Sequence, residues 1–236
     1  WPKTKAAVWR FGLLAIFIHA YLLHHWIDLH GLQNLSIFTV YSQVAWTISL
    51  LISLFYFIRP VDFLVIISFP FSALSIILVL LFPMHRLIDT ISTPKQLFHI
   101  LLAFLTFAVL CIAACQALFL AVQQYLLRHD YQSPAMSRLP PLQNMESLLF
   151  QIILIGFFFL TLLLFSSLYL FPDMFFGRLW QHTFLGALAW LVFAILLCGR
   201  YALGWRGKIA IRWTLAGVAL LFISYFGVQI VLDLYA

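Results

Sequence analysis

The chain has 236 residues, 65% of them hydrophobic and 8% charged, with a mean hydropathy of +1.07 and a formal charge of +6. A soluble domain carries roughly 25% charged residues, so no water-soluble fold hides this much apolar surface. The 13 Lys and Arg are scattered over connections and form no run or stripe, which argues against a nucleic-acid partner and leaves the lipid bilayer as the surroundings.

Lipid offers the backbone no hydrogen-bond partners, so a spanning chain forms helices or a closed barrel. The long apolar runs here lack period-2 alternation and select helices. A window of about 20 apolar residues predicts about seven spans, at 7–27, 36–58, 61–82, 94–127, 144–171, 180–199 and 209–233. The fold class is all-α, a polytopic transmembrane helical bundle in a single integral membrane domain over 1–236. Because Trp1 is not an initiator Met and the first residues lack a signal-peptide pattern, an N-terminal piece with room for another span is expected to precede it.

The third span carries Pro70 in its middle, which removes a backbone bond and predicts a kink. The fourth has a marked start: Thr93 as N-cap, Pro94 at the first helical position and Gln96 at capping-box spacing. Its length of about 34 residues corresponds to about 50 Å. It should therefore project from the bilayer, with Gln123, Gln124 and Arg128 in water. The segment Ser133 to Pro141 is the one linker-like stretch. Cys111 and Cys115, at i,i+4, and Cys198 lie in apolar helices and read as ordinary membrane-embedded thiols.

Orientation follows from the basic residues. Lys3, Lys5 and Arg10, Arg59, Arg128 and Arg138, and the group Arg200, Arg206, Lys208 and Arg212 all fall on one side of the seven-span scheme. Arg86, Lys95 and Arg178 alone fall on the other. The richer side is assigned to the cytoplasm of a bacterial-type inner membrane, with the C-terminus outside.

In that topology the histidines lie mainly on the outer side: His19, His24, His25, His30, His85, His99 and His182, with His129 alone in a cytoplasmic connection. Lone interfacial histidines are more often hydrogen-bonded packing or rim residues than ligands, and His24, His25, His30 and His85 read that way. His19 and His99 stand apart, because an ionisable group within apolar depth is a functional hypothesis by default. Neutral imidazoles from facing helices can clamp the iron of a planar macrocycle. Hydrolytic chemistry has almost nothing to use: there is no metalloprotease helix, phosphate loop or Ser/His/Asp order, and Glu146 is the sole glutamate. No catalytic residue is assigned, and the chain is not expected to be an enzyme.

Several segments carry a resemblance in order along the chain. They are Gly31-Leu-Gln-Asn-Leu-Ser-Ile-Phe38, Leu97-Phe-His99-Ile100 and Leu139-Pro-Pro-Leu-Gln-Asn-Met-Glu146 in the first half and middle, followed by Ala189-Trp190 with Gly199-Arg200, Gly204-Trp-Arg-Gly-Lys208 and Tyr225-Phe-Gly227. Together they resemble the cytochrome c assembly, or haem-handling, membrane protein superfamily of the CcsA and CcmC haem handlers, and within it the small inner-membrane YpjD-like branch. The resemblance implies a helical bundle, with one more N-terminal span, that binds haem and works with membrane or periplasmic haem-delivery partners. By family position His99 inherits the role of axial haem ligand. His19 is the candidate for a deeper intramembrane ligand. The segment Ile155-Gly156-Phe-Phe-Phe-Leu-Thr161 resembles the wall on which the porphyrin packs.

The chain also departs from the pattern. The tryptophan-rich outer motif, of the form WxWD, is replaced by Phe171-Pro-Asp-Met-Phe-Phe-Gly-Arg-Leu-Trp180, which keeps one tryptophan, Trp180, and a displaced Asp173. The second outer histidine, expected after the last helix, is missing from Val231-Leu-Asp-Leu-Tyr-Ala236. His182 stands near the altered motif, either as a substitute ligand or as a capping residue for its helix. Two functions follow: a haem-binding protein of cytochrome c assembly or haem homeostasis, or a cofactor-free accessory or scaffold that keeps the fold. A transporter is disfavoured by the scarcity of intramembrane acids and of paired broken helices.

Overall fold

A computed structural model of the chain describes residues 2–29, 32–56, 62–84, 87–88, 94–129, 141–170 and 180–227, with the backbone alone at 2–8, 28, 29, 32, 62, 87, 88, 94, 180 and 182. Seven α-helices follow in order: α1 (Pro2–Ile27), α2 (Ile37–Phe55), α3 (Asp62–Leu81), α4 (Pro94–His129), α5 (Leu142–Leu170), α6 (Trp180–Leu203) and α7 (Lys208–Phe222). The last passes into a π-helical turn at Ile223–Gly227. Among the described residues, α2 to α7 are long and apolar enough to cross a membrane. Arg10, His19, His24 and His25 dilute the apolar run of α1, which is not in that set.

The elements match the expected spans, with differences at their ends. Helix α2 stops at Phe55, where Tyr56 caps it by donating its backbone N–H to Ile52 O. Helix α4 begins at Pro94, as predicted, and continues to His129. The proposed N-cap Thr93 and the linker at 133–140 lie outside the described residues. Pro70 lies inside α3, which continues through it. Of the three polar residues expected in water near the end of α4, Arg128 is exposed, Gln124 is half-buried and Gln123 is buried at 2% exposure. Gln123 is thus a core residue, because helical spacing puts it on the same stripe as the buried Ala113, Gln116 and Leu120.

Three short strands accompany the helices: β1 (Asp28–Leu29), β2 (Leu32–Asn34) and β3 (Leu87–Ile88), paired antiparallel in the order β1-β2-β3. They clip the end of α1 to the segments before α2 and after α3. Gln33 faces Ile88 and Asn34 faces Leu87 in this register.

The chain forms two compact units, residues 1–108 and 109–236, and the division falls inside α4. In the first unit α2 and α3 meet along small hydroxyl residues: Thr39, Ser42, Ser49 and Ser53 on α2, and Ser68, Ser72 and Ser75 on α3, all buried. Small side chains let helix backbones approach closely where lipid supplies no hydrophobic drive for association. In the second unit the core is larger and more apolar, built on Leu110, Leu120, Leu149, Ile153, Leu160, Phe193 and Leu196. Gly156 of α5 lets α4 approach, since a Cβ there would collide with the Leu110 side chain.

Candidate functional site

His19 lies on the buried face of α1, at 2% exposure. Its Nδ1 is 2.8 Å from Ser72 Oγ of α3 and its Nε2 is 2.8 Å from Ser42 Oγ of α2. Ser75 extends the cluster, donating to the Ser72 carbonyl at 2.7 Å with its oxygen 3.3 Å from Ser42 Oγ. A neutral imidazole has one N–H and one lone pair, and here the two hydroxyls use both. One side chain thereby joins three helices, and Trp46 Nε1 of α2 adds a bond to the Ile16 carbonyl of α1 at 3.0 Å.

The segment Gly31 to Phe38 works as a staple. Asn34, 4% exposed, donates from Nδ2 to the Met84 carbonyl at 3.1 Å, and its Oδ1 accepts from the Ser36 backbone N–H at 3.2 Å. Ser36 is the N-cap residue of α2, and its Oγ pairs with Thr39 Oγ1 at 2.8 Å. Beside it a small apolar cavity of about 100 Å³ is lined by Leu35, Thr39 and Val40 and by Leu97, Ile100 and Phe104 of α4.

His99 is half-buried near the start of α4. Helical spacing turns it away from the cavity face of Leu97, Ile100 and Phe104 and onto the stripe of Leu102 and Thr106, both buried. His182 is the third residue of α6 and Trp180 the first, and only their backbones are described. The altered motif at 171–179 and the residues after Gly227 lie outside the described residues.

The expected porphyrin wall is a helix seam at Gly156, which packs on Leu110. Phe157 stacks on Trp190 of α6 with centroids 5.4 Å apart, and Trp190 Nε1 donates to Thr161 Oγ1 at 2.9 Å. Phe158 faces outward at 59% exposure, so the aromatic run is divided between two faces of α5.

At the other end of α6, the Gly199-Arg200 and Gly204 to Lys208 segments form a tight turn. Trp205 lies against Gly199, donating its backbone N–H to the Gly199 carbonyl at 3.1 Å, and Arg200 Nη1 donates to the Trp205 carbonyl at 3.2 Å. The Arg200 guanidinium also lies over the Phe150 ring, 4.6 Å from its centroid. Gly204 and Gly207 hold φ of 65° and 55°, the left-handed region that side chains disfavour. Glu146 Oε1 accepts the Gly207 N–H at 2.9 Å, tying the start of α5 to the N-terminus of α7. In the sequence Glu146 stands out as the lone glutamate and as the end of a resemblance segment. Its place in the resemblance segment was the available sign of this role.

Haem iron held by histidine takes a neutral imidazole nitrogen as axial ligand. His19 holds both ring nitrogens at serine hydroxyls, so ligation of an iron would cost it one of those two bonds. His99 is a half-buried imidazole near the start of α4, and a nitrogen lone pair there would meet the requirement. Among the described residues no group of three or more His, Cys, Asp or Glu is placed to hold a metal ion, and Cys111, Cys115 and Cys198 are free thiols.

The chain is 32% identical over 225 residues to the protein called inner membrane protein YpjD of Escherichia coli (strain K12), covering 94% of this chain and 85% of that protein. The proteins of that name from E. coli O6:H1 and O157:H7 match to the same extent. No solved structure matches. Residues 9–235 match the family described as Cytochrome C assembly protein, and the chain belongs to that family.

Proposed function

We propose that the protein is a haem-binding member of the cytochrome c assembly family, set in a bacterial inner membrane with its basic connections in the cytoplasm, and that it binds and presents haem without catalysing a reaction. The observation that supports this reading best is His99. It is a half-buried imidazole near the start of α4, on the buried stripe of a helix long enough to leave the membrane at one end, in a chain of this family. It supplies one axial nitrogen, and partners in haem delivery approach from the outer side.

A second reading, a cofactor-free scaffold with the family fold, is favoured by His19, whose two nitrogens are both bonded to serines. A visible spectrum of the purified full chain, with and without added haem, separates the two. A Soret band in wild type that His99→Ala abolishes, and that His85→Ala and His129→Ala leave intact, supports haem binding at His99. The same band in His182→Ala tests the second ligand. Wild type without a Soret band after haem is supplied establishes the scaffold reading, and His99→Ala binding haem as wild type does removes His99 as the ligand.

A further inference from the structure

Six cationic or hydrogen-bonding side chains converge on a cavity of about 280 Å³ in the second unit, between the last turns of α4 and the first turns of α7. Gln124, Tyr125 and Arg128 come from α4, and Lys208 and Arg212 from α7. His129 completes the rim; its ring stacks on Tyr125 at 4.3 Å between centroids. The Tyr125 carbonyl 3.0 Å from His129 Nδ1 can only accept, so Nδ1 carries the hydrogen. Buried Ile211 forms an apolar floor.

The charge here is one-sided. Among the described residues, Arg128, Lys208 and Arg212 line the cavity and no carboxylate does. Glu146, at the adjoining turn, is buried and already accepts the Gly207 N–H at 2.9 Å. Lys208 is also the first residue of α7, where the first amide groups of the helix present their N–H and the positive end of the helix dipole. Three cations brought together without a counterion repel one another, and an anion among them removes that cost.

The position of the cavity along the helices narrows the class of anion. Helix α7 with its π turn spans Lys208–Gly227, 20 residues, which at 1.5 Å per residue is about 30 Å, the thickness of the hydrocarbon core. Lys208 therefore stands at headgroup level, with phosphate on the polar side and the Ile211 floor toward the acyl region. Arginine forks match phosphate oxygens in pairs, and basic pockets between membrane helices take anionic headgroups.

From these observations we infer that the α4–α7 cavity is a binding site for a phosphate-bearing anion, the headgroup of an anionic phospholipid or free phosphate. This site does not depend on the haem reading.

The test uses delipidated full chain in a neutral detergent, with lipid retention read by native mass spectrometry and the unfolding midpoint read in parallel. Phosphatidylglycerol, phosphatidylcholine and inorganic phosphate are supplied separately. The expected result is selective retention of phosphatidylglycerol and a raised midpoint, with retention falling roughly fivefold for each charge removed in Arg212→Gln and Lys208→Gln. Protection by inorganic phosphate equal to that by phosphatidylglycerol assigns the site to free anion; protection by the lipid alone assigns it to the headgroup. Arg10→Gln, which removes one exposed charge from α1, should retain lipid as wild type does. The inference is overturned if neither ligand protects, if both pocket variants behave as wild type, or if Arg10→Gln loses as much as they do.

Discussion

The two units face one problem, holding helices together in surroundings as apolar as the helices themselves, and they meet it with different side chains. In the first unit the contacts between helices are polar: His19 bridges Ser42 and Ser72, Ser75 follows, and Asn34 reaches the Met84 carbonyl. In the second they are mainly steric, with Gly156 against Leu110, Gly217 against Phe193 and Gly199 against Trp205, beside the Trp190–Thr161 and Gln116–Met145 bonds and the Glu146 carboxylate at the turn. Hydrogen bonds between membrane helices average about 0.6 kcal/mol, because the unfolded chain in lipid also finds partners. Close packing has no such substitute. The comparison teaches that buried polarity in the first unit specifies how its helices pair, while the second unit draws more of its stability from fit.

The sharpest way to break this comparison is to fill a glycine. Gly156→Ala should destabilise by about 1–3 kcal/mol, the cost of overpacking a well-filled core, and Gly156→Leu should cost more. Unfolding of purified protein in mixed micelles checks both, and a wild-type midpoint for Gly156→Ala would remove the steric account of the second unit. The turn comes next. Glu146→Ala should cost about 1.5–3 kcal/mol, the range for a hydrogen bond to a charged group. Glu146→Gln keeps an acceptor oxygen for Gly207 and should recover part of that loss. Equal losses in the two variants would show that the carboxylate charge, rather than the bond, holds the turn. The smallest effect is expected in the first unit, where Ser72→Ala should cost about 0.6 kcal/mol. A double-mutant cycle with His19→Leu isolates the His19–Ser72 coupling, and a coupling well above about 1.7 kcal/mol would reverse the ranking of the units.

Helix positions were legible because lipid imposes a length on every span, and Pro94 marked the start of α4 to the residue. Other features were not. The serine partners of His19 sit at ordinary helical spacing on α2 and α3, and nothing local distinguishes a serine that meets a histidine from one that meets another serine. The strands of two and three residues are too short to carry an alternating pattern. Gln123 read as solvated because its type is polar, whereas its register on α4 decides that it is buried. The division between units falls at 108/109 inside an unbroken apolar helix, with no change of composition to mark it. For the candidate site, the place of His99 near the start of α4 was legible from the predicted span. The roles of Asn34 and Glu146 as ties between segments emerged only when their partners, Met84 and Gly207, were brought beside them by the fold.

The pairing of β2 with β3 also sets a parity rule for membrane insertion. Strands exchange backbone hydrogen bonds only when both lie on the same side of a bilayer, so between Asn34 and Leu87 the chain must cross it an even number of times. Two helices, α2 and α3, occupy that interval. They therefore enter the membrane as a pair or not at all. A lesion that stops either one from inserting would separate Asn34 from the Met84 carbonyl by the full thickness of the bilayer.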